Sequence, residues 1–121
     1  MMSTDATPHA VLLLASDLML GGTVRAATRS AGVEVDQHRK AASLVDALAD
    51  APAEAMVIID LTVDGAIAAA REAVEAGRAV YATGPHVEAA LLREARAAGC
   101  REVVPRSQFG ERVAVWVRGG V

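Results

Sequence analysis

Two hydrophobic periods alternate along the chain. Short apolar runs fall at residues 10–15, 33–35, 56–59, 79–82 and 102–104. The first and third are almost wholly apolar, as central parallel strands covered on both faces must be. Between the runs, apolar residues recur at helical spacing. The sets are Leu20, Val24, Ala27 and Ala31; Ala41, Leu44, Val45 and Leu48; Ile67, Ala70 and Val74; Val87, Ala90, Leu91, Ala95 and Ala98; and Phe109, Val113, Trp116 and Val117. Each set turns one stripe inward and leaves charges outside.

The punctuation fits these periods. Gly32, Gly77 and Gly99 stand where a helix ends before the next strand, the usual place for a left-handed cap. Asp17, Asp64 and Ser107 stand near helix starts, and Pro85 is placed to open the fourth helix. Gly21 and Gly22 inside the first helix cost about 2 kcal/mol against alanine, which points to close packing or a loose first turn. Five strand–helix units with short connections predict right-handed crossovers and an α/β fold. It is a single five-stranded parallel sheet with helices on both faces. Sites in such sheets lie at the carboxyl ends of the strands.

Composition narrows the function. The 121 residues make one domain, expected over residues 10–121 behind a disordered tail at 1–9. One Trp, one Tyr and one Phe leave a core of Val, Leu, Ile and Ala. The net charge of −3 comes with scattered Lys and Arg, so neither nucleic acid nor a membrane surface is an expected partner. No apolar run approaches the ~20 residues of a membrane span. A single cysteine, Cys100, excludes an intrachain disulfide and fits a reducing, cytoplasmic setting. Glycine spacing for a dinucleotide or phosphate loop is absent. No His and Asp stand placed to activate Cys100, and His9 and His38 read as isolated.

The strand ends carry the chemistry. The third strand reads Val57-Ile58-Ile59-Asp60 and the fourth Val80-Tyr81-Ala82-Thr83-Gly84. The fifth is approached through Ala97-Ala98-Gly99-Cys100-Arg101-Glu102-Val103-Val104-Pro105-Arg106. From residue 10 to about residue 116 the chain resembles the receiver domain of bacterial two-component signalling. The resemblance implies a flavodoxin-like (βα)5 fold with strand order 2-1-3-4-5. It puts Asp60 at the phosphoacceptor position, Thr83 at the hydroxyl position and Arg106 at the position of a lysine. It also implies an acidic pair that holds a divalent metal, but Ala15 and Ser16 stand there. Asp17 follows one residue late and is the nearest candidate metal ligand. The loop after Asp60 is short, and Ser107 replaces a proline.

These departures imply an atypical receiver, or pseudo-receiver. Phosphoryl transfer needs charge neutralisation, usually by Mg²⁺, and Asp60 with Asp17 makes a poor magnesium site. No cofactor and no enzymatic activity are expected. Asp60 reads as a phosphoacceptor, as a polar strand end that caps its own turn, or as half of an ion pair with Arg106 that replaces the metal. Ser16, Asp17, Thr83 and Arg106 form the expected pocket. His86 stands beside it, either as a pH-responsive group or as an exposed helix residue. Arg93, Arg96, Arg101 and Arg112 lie on or beside the last two helices, a solvated face that in receivers commonly makes dimers. The expected function is a stand-alone signalling module that contacts another signalling protein, with a homodimer through the fourth and fifth helices. A working phosphoacceptor and a sensor of small anions are the two alternatives.

Overall fold

The computed structural model describes residues 10–119; the tail at 1–9 lies outside them. Its elements run β1 (Ala10–Leu14), α1 (Leu18–Arg29), β2 (Glu34–His38), α2 (Ala41–Leu48), β3 (Met56–Asp60), α3 (Ala66–Glu75), β4 (Val80–Gly84), α4 (Ala89–Ala97), β5 (Glu102–Pro105) and α5 (Arg106–Trp116). All pairings are parallel, and the order is β2-β1-β3-β4-β5. The expected sheet and its strand order are therefore present.

Alternating strand residues feed two cores. Leu12, Leu14, Val57 and Ile59 face α2, α3 and α4. Val11, Leu13, Ile58 and Tyr81 face α1 and α5. The second core holds the aromatic rings. Trp116 is fully buried, stacks on Tyr81 at 4.6 Å and meets Phe109 edge-on at 5.8 Å, arrangements that suit ring quadrupoles. The first core instead packs α3 through Ala66, Ala69, Ala70 and Ala73. The apolar period suggested Ile67, Ala70 and Val74. The true stripe is rotated, because small side chains bring the helix close to the sheet and leave Ile67 and Val74 only partly buried at its margins.

Other boundaries differ for local reasons. β2 is an edge strand paired only with β1, so it alternates polar residues and runs to His38 instead of stopping at Val35. In α1 the buried stripe closes with Thr28, and Ala31 lies exposed beyond the helix. Pro85 does not open α4. The Glu88 N–H donates to the Pro85 carbonyl at 3.0 Å, which makes residues 85–88 a turn before the helix starts at Ala89. Asp64 gives no cap; α3 starts from Gly65 at φ 79°, a left-handed conformation that favours glycine. Ser107 makes no cap bond either, since α5 already starts at Arg106. Gly21 serves close packing: a Cβ there would lie 2.7 Å from Gln37 Oε1.

Candidate functional site

Four strand ends converge on an open basin of about 560 Å³, lined by Ser16, Asp17, Asp60, Thr62, Pro85, His86, Arg106 and Ser107. Asp60 closes β3 and is 1% exposed. Arg106 follows β5 directly, and its Nη2 donates to both Asp60 oxygens at 3.1 Å. Its Nη1 donates to Asp17 Oδ2 at 3.0 Å. One planar guanidinium thus ties two carboxylates, a fork that an ammonium cannot copy.

Each carboxylate also has a local duty. Asp17 Oδ1 accepts from the Met19 and Leu20 N–H groups and caps α1. The Met19 N–H, then that of Leu20 and the charge of Arg106, hold the Asp17 carboxyl below its ordinary range. Asp60 Oδ1 accepts from the Thr62 N–H at 3.0 Å and the Thr62 hydroxyl at 2.8 Å. The turn-capping and ion-pair readings of Asp60 therefore hold together. The Asp-x-Thr spacing was the visible signal for Thr62, a residue that the strand-end motifs passed over.

Ser16 is exposed at the basin wall. Thr83 stands opposite Asp60 in the β3–β4 register, yet it is fully buried and absent from the wall. Among the described residues its Oγ1 has no hydrogen-bond partner. His86 lines the basin from the exposed turn before α4.

The arginines of α4 and α5 divide into two kinds. Arg93, Arg96 and Arg101 are exposed. Arg96 donates to the Val103 carbonyl at 3.1 Å, and Arg112 holds Glu102 through Nε at 2.6 Å and Nη2 at 2.9 Å. Trp116 Nε1 donates to the same carboxylate at 2.8 Å. Arg112, then Trp116, hold the Glu102 carboxyl below its ordinary range. Burial pushes the Cys100 thiol up to about 11, so it stays protonated and a poor nucleophile at neutral pH. His38 is not isolated: its Nδ1 lies 2.6 Å from Ser43 Oγ and its Nε2 lies 2.9 Å from Asp36 Oδ2.

No protein-family model matches the chain, and no curated protein does. Solved structures do. The receiver domain of the TMAO respiratory system response regulator TorR matches with a TM-score of 0.78 and 11% identity, over 92% of this chain and 94% of that one. Full-length FixJ from B. japonicum matches with a TM-score of 0.78 and 17% identity, over 94% of this chain and 58% of that one. The receiver domain of the Saccharomyces cerevisiae response regulator Ssk1, in a co-crystal with the histidine phosphotransfer signaling protein Ypd1, matches with a TM-score of 0.71 and 12% identity, over 91% and 89%. The fold is that of a receiver domain.

Proposed function

We propose that this chain is a receiver-shaped signalling module that works by contact with another signalling protein and independently of phosphorylation at Asp60. The observation that carries the reading is the Arg106 bridge. Both Asp60 oxygens accept from Arg106, and the second carboxylate of the basin is held by the same guanidinium.

Magnesium does not suit these residues. Ala15 is a buried methyl where a carboxylate would be needed. Among the described residues no group of three His, Cys, Asp or Glu side chains converges on one point. A permanent side-chain cation takes the metal's place beside Asp60, so charge neutralisation is already present in the resting protein. Hard-cation chemistry needs several free oxygens, and the basin offers few.

The surface supports contact as the mode of action. The exposed large apolar side chains among the described residues are Leu18, Met19 and Val87. Leu18 and Met19 follow Asp17 and Val87 follows His86, so all three flank residues of the basin. Exposed apolar groups gathered at one rim suit a protein partner. Ssk1, which shares the fold, is seen with a phosphotransfer protein; for this chain a signalling protein is the partner class, in the cytoplasm. A homodimer through α4 and α5 would use Arg93 and Arg101, because Arg96 and Arg112 are already engaged.

The test is intact mass after incubation with acetyl phosphate, with and without Mg²⁺, beside a control receiver. The expected result is no mass gain while the control gains one phosphoryl group. A magnesium-dependent gain that disappears in Asp60→Asn would overturn the reading and make Asp60 a working phosphoacceptor.

A further inference from the structure

On the edge strand, outside the lining of the Asp60 basin, three side chains form a hydrogen-bonded relay. Asp36 and His38 are two residues apart on β2 and share a side of the strand. Asp36 Oδ2 lies 2.9 Å from His38 Nε2, and His38 Nδ1 lies 2.6 Å from Ser43 Oγ in the first turn of α2.

The chemistry of the partners fixes the proton positions. An ionised Asp36 only accepts, so neutral His38 carries its hydrogen on Nε2. Nδ1 is then a lone pair aimed at the Ser43 hydroxyl, which donates to it. A hydroxyl donating to a base that is itself oriented by a carboxylate is the arrangement of an activated nucleophile. His38 is mostly covered, with 13% of its side chain exposed, while Ser43 is open to solvent. A helix leaves its first N–H groups without intrahelical partners. Lys40, at the N-cap of α2, adds no side-chain cap bond, so donors for a developing oxyanion stand in the same turn as the hydroxyl.

We infer that Ser43 is a second, independent reactive centre: a serine that takes the acyl group of small activated esters, with His38 as general base and Asp36 as its positioning residue. Ser43 Oγ attacks the ester carbonyl carbon while its proton passes to His38 Nδ1. The bond from carbon to the leaving oxygen breaks, and the alcohol departs with that proton. Water then attacks the acyl group on Ser43, giving up a proton to His38 as it adds. The carboxylic acid leaves, and the proton returns to Ser43 Oγ. An exposed hydroxyl limits the substrates to unhindered esters and sets no side-chain selectivity.

The experiment treats the whole chain with p-nitrophenyl acetate and, separately, with a fluorophosphonate probe, and reads nitrophenol release and intact mass. One adduct, mapped to Ser43 and lost in Ser43→Ala, is expected. His38→Gln should slow both reactions about 100-fold, within the usual reach of general-base catalysis. Asp36→Asn should lower kcat by about tenfold with KM and Tm unchanged, a split that a purely structural role would not produce. Imidazole added to His38→Ala should restore part of the rate. No adduct on the wild-type protein, an adduct on another residue, or equal labelling of Ser43→Ala overturns the inference. Equal rates for wild type and His38→Gln, whose fold circular dichroism checks, overturn it as well.

Discussion

The short strand β5 carries an arginine–carboxylate pair at each end, and the two pairs are unlike. At its start, Glu102 meets Arg112 with both partners about one-third exposed, at 31% and 34%. Just past its end, Arg106 is 39% exposed but its partner Asp60 is 1% exposed. The first pair sits in water that screens it, so forming or breaking it changes little. The second holds a charge that water cannot reach. The exposed pair has the shorter contacts, 2.6 and 2.9 Å against 3.1 Å, yet burial of one partner decides which pair the fold depends on.

Removing the buried charge's partner should have the largest effect. Arg106→Met leaves the buried Asp60 side chain without its cation and should cost about 3 kcal/mol in urea unfolding. The double change Arg106→Met with Asp60→Asn should regain most of that loss, because no buried charge then remains. A single variant as stable as the wild type would erase the contrast between the two ends.

Acid should come next. The Asp17 and Glu102 carboxyls are both held below their ordinary values of 3.8 and 4.5. Their folded-state affinity for protons is thus weaker than in the unfolded chain. The stability they add is complete above those ordinary values and is lost as pH falls through the lowered ones. Tm should be flat from about pH 7 to pH 5 and drop below about pH 4. A Tm that rises between pH 5 and pH 3 would contradict this.

The smallest effect belongs to the exposed end. Arg112→Met should move Tm by only about a degree or two, with Trp116 still donating to Glu102. It should also flatten the acid dependence, since Arg112 is the main cause of the lowered Glu102 value. A loss as large as that of Arg106→Met would show that burial is not the deciding variable.

The sheet could be read from the chain where burial is complete on both faces. The apolar runs at 10–15 and 56–59 admit only central strands, and Gly32, Gly77 and Gly99 all have positive φ at helix ends. Reading failed where burial is partial or where the buried side chains are small. β2 faces solvent along one edge, so its polar residues hid its extent, and with it the meeting of Asp36, His38 and Ser43. The α3 stripe was misread because alanine, weakly hydrophobic, marks close approach and not burial of volume. In the site, Asp60 and Arg106 could be paired from their strand-end positions. The fork to Asp17 could not, because it depends on how far the arginine reaches from the end of β5 toward the end of β1.

The guanidinium of Arg78 donates to the carbonyls of Leu48, Ala51 and Pro52, at the end of α2 and just beyond it. The Leu48 carbonyl ends α2, where intrahelical partners run out, and the Pro52 carbonyl also accepts from the Ala55 N–H at 3.0 Å. The side chain that satisfies them arrives some thirty residues later, between α3 and β4. The end of the second strand–helix unit therefore depends on a side chain that the third unit supplies.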